Sequence, residues 1–348
     1  MKRIYFRFKI CLLMIVALFL NAYAEDTSHR AEDICFYDSS TSFAITEEYV
    51  LFVNTWSKEE YAWFPDTVGI DLKNVETDKT IRIAELSSTW AKVFTDGECF
   101  YVVESNYLDE NYDGPFKISI GKITPEKMEI EWLDTLTFGL SETERIEANA
   151  FDVPKRYGDD FINDIQLDNG KLYFISNYEI HNYDLSTYKL STDYHSSKKI
   201  TNQITNNRSV VYKNRLYVHK EDDYIYEIDL NSFSERKVGG RTKPLAGHPD
   251  TDIFTAPYSY YVFNDVLYYC ETGLYGEPQT TTFNLINGME SCILESPITI
   301  FMINEKGIWF DIYDGGGSRY FMDFSDKKIT PISRRDFDIL KIMMDMVK

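Results

Sequence analysis

Sulfur and imidazole are scarce in this chain of 348 residues, which has five cysteines and five histidines. Neither residue falls in a Cys-x-x-Cys or His-x-x-x-His arrangement, so no zinc site is written into the local spacing. The Gly-x-Ser-x-Gly elbow of esterases is missing too. Gly315-Gly316-Gly317-Ser318 superficially resembles a phosphate loop, but no Gly-Lys-Ser/Thr follows it and a flexible hairpin turn accounts for it. Positive charge is in deficit, with 36 Lys and Arg against 56 Asp and Glu. A net charge of −20 disfavours a nucleic-acid backbone or an anionic membrane as the main partner. Aromatics are abundant, with 26 Tyr, 23 Phe and 5 Trp, far too many for a disordered chain.

Long apolar runs are also lacking, with one exception. Ile10 to Leu20 is unbroken, follows Lys2, Arg3, Arg7 and Lys9, and precedes the small residues of Ala22-Tyr23-Ala24. That run is too short for the ~20 residues that span a bilayer, so residues 1–24 read as a secretory signal peptide cleaved before Glu25. The mature chain then has no transmembrane segment and a net charge of −24, and its location is periplasmic or secreted. Cys35, Cys99, Cys270 and Cys292 survive cleavage into a compartment that permits disulfides.

A repeat runs along the mature chain. Its first half is a polar turn entering a strand rich in aromatic and β-branched residues. Copies include Glu48 to Val53, Asp96 to Val102, Asn169 to Phe174, Lys213 to Val218, Asn264 to Tyr269 and Glu305 to Phe310. Its second half is a strand ending in an Asp-Leu-type turn, where Asp or Asn can close an Asx turn on its own backbone. The anchors of this half fall at positions 72, 123, 185, 230, 285 and 324, unevenly spaced, as loops of different length on a common unit would leave them. Three or four short strands in each of six such units form the signature of propeller blades, with a period of about 50 residues.

The chain therefore resembles secreted bacterial β-propeller repeat proteins, at the level of architecture and over residues 40 to 332. It has no WD dipeptide and no sialidase-type Asp box. The expected fold is all-β: a six-bladed β-propeller over 25–332 with a short C-terminal helix over 333–348. A two-domain β-sandwich is the alternative. Phe337, Leu340, Met344 and Val347 recur at helical spacing behind the capping residue Ser333. Residues 33–38 are placed to add a strand to the last blade and close the ring. Residues 137–166 form an insertion between blades two and three, of a length usual for a functional loop. On this layout Cys270 and Cys292 fall on the second and fourth strands of one sheet, about 9.6 Å apart, beyond the ~7 Å that a disulfide allows.

Candidate functional residues follow from this layout. Asp109, Asn111 and Asp113 before Gly114 imitate the start of an EF-hand loop, which makes calcium the candidate ion. Pro115, Lys117 and Ile120 break the later positions, so the default is no cofactor. Trp56, Tyr61 and Trp63 sit in the long loop of blade one, and Tyr258 and Tyr260 in an aromatic run before the fifth hairpin. Loop aromatics suit stacking on sugars or anchoring a protein. With no catalytic constellation visible, the expected role is an exported, non-catalytic binding or scaffold propeller that recognises a protein or glycan partner. The alternative is a carbohydrate-active hydrolase or lyase, whose carboxylate pair would have to converge near the axis.

Overall fold

The computed structural model describes residues 35–36, 43–56, 67–86, 90–107, 116–138, 162, 164–200, 209–222, 224–240, 256–272, 279–294, 296, 298–312 and 319–332. All regular structure among them is β, in six sheets. Blade one is β2 (Phe43–Ile45), β3 (Tyr49–Trp56), β4 (Thr67–Asn74) and β5 (Thr80–Leu86). Blade two is β6 (Trp90–Thr95), β7 (Phe100–Tyr107), β8 (Phe116–Ile123) and β9 (Glu131–Phe138). Blade three is β10 (Asp164–Asp168), β11 (Lys171–Ile175), β12 (Glu179–Asp184) and β13 (Lys189–His195). Blade four is β14 (Ser209–Tyr212), β15 (Arg215–His219), β16 (Tyr224–Asp229) and β17 (Glu235–Gly240). Blade five is β18 (Ala256–Phe263), β19 (Val266–Thr272), β20 (Gln279–Asn284) and β21 (Glu290–Leu294). Blade six is β22 (Ile298–Asn304), β23 (Gly307–Ile312), β24 (Arg319–Asp323) and β25 (Ile329–Ile332). Each blade is an antiparallel meander, and the first strands of successive blades lie against one another from blade one to blade six.

The chain folds this way because its second and third strands are buried on both sides. Leu172 to Ile175 of β11 and Leu216 to His219 of β15 are consecutively buried, so these strands read as unbroken apolar runs rather than as alternation. Side chains of alternate parity enter the cores on either side of a blade. Tyr217 packs toward blade five, with Val262 and Tyr269, while Leu216 and Val218 pack toward blade three, with Tyr173 and Ile180. Five such inter-blade cores join blades one through six.

Turn chemistry sets the repeat. Asn74, Asp184, Asp229, Asn284 and Asp323 each accept backbone N–H bonds from residues two or three positions on, through their own side-chain oxygen. Four residues after each of them, and after Thr124 in blade two, the backbone is left-handed: Asp78, Met128, Tyr188, Phe233, Gly288 and Lys327 all have positive φ. Only Gly288 takes that conformation free of steric cost. The expected Asx turn is thus present, but in blade one it starts at Asn74 and not at Asp71. Asp71 lies within β4, opposite Arg82, to which it is ion-paired. Asn169-Gly170, Lys213-Asn214 and Asn264-Asp265 have positive φ at both positions and make the two-residue turns that join first to second strands.

The outer strands carry a feature with no advance sign in the sequence. Ile83, Leu133, Asp193, Val238 and Ile293 are each an extra residue in the fourth strand of blades one to five, opposite the same step of the third strand. A bulge there increases local twist and breaks the regular edge that another chain would otherwise pair with.

β1 (Cys35–Phe36) pairs antiparallel with β22, Cys35 opposite Ile303 and Phe36 opposite Met302. The N-terminal segment therefore joins blade six, as its position before blade one suggests. Cys270 and Cys292 lie on β19 and β21 with β20 between them, and no disulfide joins the two, since Cys292 is a free thiol. Residues 1–24, residues 139–161 of the 137–166 insertion, and the 333–348 segment lie outside the described residues. The insertion's two ends are strand: Phe138 closes β9 and Asp164 opens β10.

Candidate functional site

An up-and-down meander sends its connections alternately to two faces of the ring. On one face lie the hairpins from first to second and from third to fourth strand, all of them short, with 124–130 the longest. The opposite face takes the connections from second to third strand and those between blades. These include 57–66, 108–115, 139–163, 196–208 and 241–255, of which 139–163 is the longest. We call these the turn face and the loop face.

Of the sequence-derived candidates, Trp56 and Tyr258 stand near strand ends on the loop face. Trp56 is the last residue of β3 there. Tyr61 and Trp63 belong to 57–66, and Asp109, Asn111 and Asp113 to 108–115, both outside the described residues. Tyr258 is the third residue of β18, which starts on the same face. Tyr260 departs from expectation. The run Pro257 to Tyr261 is strand, not loop, and Tyr260 is 2% exposed with its hydroxyl donating to the Tyr217 carbonyl at 3.4 Å. Tyr260 is therefore a core residue and presents no surface. Among the described residues no group of three His, Cys, Asp or Glu side chains is arranged to hold a metal ion.

The inner strands hold a polar cluster that sequence reasoning missed. Asp164 opens β10 and is nearly buried. Its Oδ1 accepts from Lys92 Nζ at 2.6 Å, reaching across from β6, and from the backbone N–H of Ile165 at 2.8 Å. Its Oδ2 accepts from Ser209 Oγ at 2.6 Å, at the start of β14, and from Gln166 Nε2 at 3.1 Å. Lys92 also donates to the Ile165 carbonyl at 2.9 Å, and Gln166 Nε2 reaches the Ser209 carbonyl at 3.0 Å. One carboxylate thus ties the first strands of blades two, three and four together near their loop-face ends. A buried ion pair costs desolvation that an apolar trio of similar volume would avoid. No local motif announces the cluster, because its members are scattered along the sequence from Lys92 to Ser209.

A second ionic cluster clasps blades three and four. Lys220, wholly buried, donates to Tyr194 Oη at 2.8 Å and to Glu235, and lies 4.4 Å from the centre of the Tyr226 ring. Burial lowers its pKa against the opposing pull of Glu235. Asp222 accepts from Lys198, Lys237 and Tyr226; burial pushes its carboxyl up, but these three donors outweigh it and hold it at about 2. Nearby, His219 ends β15 almost fully buried, and burial lowers its pKa to about 4 although Asp222 pulls the other way. Each cation here has its carboxylate, and the arrangement is that of an inter-blade clasp.

No protein-family model matches the chain, and no curated protein sequence is similar to it. Solved structures similar to it include the periplasmic gluconolactonase PpgL of Pseudomonas aeruginosa, at a TM-score of 0.50 and 6% identity over 84% of each chain. The β-propeller domain of the Trilobed protease of Pyrococcus furiosus has a TM-score of 0.49 and 10% identity, over 84% of this chain and 80% of that one. PorZ, a surface component of the type-IX secretion system of Porphyromonas gingivalis, has a TM-score of 0.47 and 10% identity over 86% of this chain. The chain spans about a third of PorZ, 33% of its length. At such identities the likeness bears on fold alone, and the six sheets themselves make the chain a six-bladed β-propeller.

Proposed function

We propose that this is an exported, non-catalytic binding propeller that takes a protein or glycan partner on its loop face. The carrying observation is the unequal division of chain between the two faces. Every turn-face hairpin is short, whereas the loop face receives connections as long as 139–163. Long connections on a rigid scaffold are where recognition is usually built. Trp56 and Tyr258 stand near strand ends on that side, and with Tyr61 and Trp63, which follow β3 in the sequence, they are the proposed aromatic anchors. Export rests on the leader-like residues 1–24, and no helix among the described residues is long and apolar enough to cross a membrane. Binding is favoured over glycoside hydrolysis because, among the described residues, the loop-face ends of the inner strands gather one carboxylate, Asp164, held by a lysine, a serine and an amide. Hydrolysis of that kind uses two.

The test is capture by the immobilised mature chain from its native envelope, in parallel with a glycan array. A discrete binder is expected, lost on Trp56→Ala or Trp63→Ala and retained on Ile286→Ser, whose side chain is 79% exposed on the turn face. Absence of any binder, or equal loss in the turn-face variant, defeats the proposal.

A further inference from the structure

Among the described residues, the Lys92–Asp164–Gln166 cluster leaves two hydrogen-bonding groups unused. Lys92 directs one N–H at Asp164 and one at the Ile165 carbonyl, and its side chain is 26% exposed. An ammonium has three donors, so one N–H is left for solvent or a ligand. Gln166 directs its Nε2 at three acceptors: Asp164 Oδ2, the Ser209 carbonyl and Ser209 Oγ at 3.1 Å. That fixes which way the carboxamide points, and among the described residues its Oε1 has no hydrogen bond and is not wholly buried. A donor and an acceptor are therefore held by the two oxygens of one carboxylate, Lys92 on Oδ1 and Gln166 on Oδ2. The Phe94 ring lies 5.8 Å from Lys92 Nζ, further along the same strand.

Charge selects the ligand class. Asp164 cancels Lys92, so the site attracts neither an anion nor a cation strongly. A neutral ligand that both donates and accepts at adjacent positions satisfies both groups, and neighbouring hydroxyls on a sugar ring do so. Phe94, partly buried against the core between blades two and three, adds an apolar edge beside the pair. Asp164, touching no ligand itself, is the positioning residue: it sets the lysine, the amide and the electrical neutrality together. We propose that Lys92 and Gln166 form a binding site for a neutral hexose unit at the loop-face ends of the inner strands. The inference deepens the loop-face reading and rests on it for the direction from which the ligand arrives.

The experiment uses the full mature chain and saturation-transfer NMR with isothermal titration. The probes are glucose, galactose, mannose, their β-1,4-linked tetrasaccharides, glucuronate and glucosamine. At least one neutral sugar is expected to bind with millimolar affinity or better, in preference to glucuronate and glucosamine. Gln166→Leu and Lys92→Met are each expected to weaken it by about tenfold or more, since each deletes a hydrogen bond to the ligand. Asp164→Asn gives a reading that a merely structural role would not: it leaves Lys92 uncancelled, so preference moves from the neutral sugar to glucuronate. Thermal melts verify that each variant is folded, and Gln166→Glu, which keeps the side chain's shape, is the fallback if Gln166→Leu is not. It adds a negative charge and is expected to weaken neutral-sugar binding and favour glucosamine.

The proposal is overturned if the native chain binds none of the neutral probes, if it prefers a charged one, or if binding is indifferent to Lys92→Met and Gln166→Leu. Such a failure is separable from failure of the loop-face reading. Envelope capture sensitive to Trp56→Ala but indifferent to Gln166→Leu sinks the hexose site and spares the partner surface.

Discussion

Glu227 is the side chain whose removal has the most traceable consequences. It sits on β16, nearly buried, and its two oxygens accept four hydrogen bonds. Arg236 donates Nε to Oε1 and Nη2 to Oε2, both at 2.9 Å; Arg215 Nη1 reaches Oε1 at 2.8 Å and Tyr217 Oη reaches Oε2 at 3.0 Å. Glu227→Ala orphans these donors unequally. Arg236 and Arg215 are 50% and 43% exposed, so water recovers most of what they lose, leaving about 1 kcal/mol each. Tyr217 is 1% exposed and cannot be rehydrated, so its stranded hydroxyl costs about 1–3 kcal/mol. The expected total is about 3–5 kcal/mol, read from urea unfolding followed by tryptophan fluorescence. Glu227→Gln keeps an acceptor for Tyr217 and should cost about 1–2 kcal/mol, the charge-assisted part alone. In the Glu227→Ala background, Tyr217→Phe should be neutral or stabilising, because it removes the orphaned hydroxyl. A loss below about 1 kcal/mol for Glu227→Ala, or equal losses for Ala and Gln, would refute this reasoning.

Three further outcomes are expected. His219 has its pKa lowered by burial to about 4 from an unfolded value near 6.5, so only the unfolded chain takes up the proton between them. Its contribution to stability is complete above pH 6.5 and lost as pH falls toward 4, about 3 kcal/mol in all; stability measured against pH in His219→Gln should lack that acid limb. Gly307→Ala places a methyl 2.0 Å from the Met322 carbonyl oxygen and 2.7 Å from the Phe321 ring, at the strained end of overpacking, about 3 kcal/mol or more. Gly97→Ala meets nothing within 4 Å and is strained only by its φ of +94°, about 1–2 kcal/mol, so thermal melts must rank the two in that order. Asp184 is held at about 2, chiefly by the Ser186 hydroxyl and the Thr187 and Ser186 N–H groups, and its carboxyl carbon shift should titrate near there by NMR.

Fold and site were unequally legible, for physical reasons. The six hairpins could be read because a strand buried on both sides must be apolar along its length and must be entered by a tight turn. Leu172 to Ile175 after Asn169-Gly170 satisfies both demands in one short stretch. The misplaced turn of blade one has the same origin. Asp71-Leu72 matches the composition of a turn, but its carboxylate is engaged by Arg82 across the strand pair, and Asn74 makes the turn instead. The outer-strand bulges were invisible, since an extra Ile, Leu, Val or Asp leaves no mark distinct from ordinary alternation. Aromatics proved the least informative residues about exposure. Tyr260 and Tyr261 have the composition of a surface run, but β18 is an inner strand with neighbours on both sides, and their hydroxyls donate to the carbonyls of Tyr217 and Ile300. The Lys92, Asp164, Gln166 and Ser209 cluster is an extreme case: three blades contribute to it, and only the packing of their first strands brings them together.

The same meander that makes the fold legible explains why function gathers at one end of it. In every blade but the second, register is fixed twice on the turn face: once by a short turn between the first two strands and once by an Asx turn with a left-handed residue four positions on. The backbone N–H of Leu185, Leu230, Leu285 and Phe324 joins these two turns, donating to the carbonyls of Gly170, Asn214, Asp265 and Lys306. Lengthening a turn there would break that bond and shift a strand whose side chains alternate between two cores, moving buried residues to the wrong blade interface. Among the described residues of the loop face, backbone bonds of this kind are confined to 176–179, 196–200 and 220–224, where blades three and four meet. Its connections begin and end on strands already held in register, so their length costs little more than closure entropy, which grows only slowly with length. Variation in blade spacing, widest between the anchors at positions 123 and 185 and narrowest between those at 285 and 324, is therefore absorbed almost wholly on the loop face. A scaffold that confines its freedom to one face confines recognition there too, and the inner strand ends at Lys92 and Gln166 open on that side.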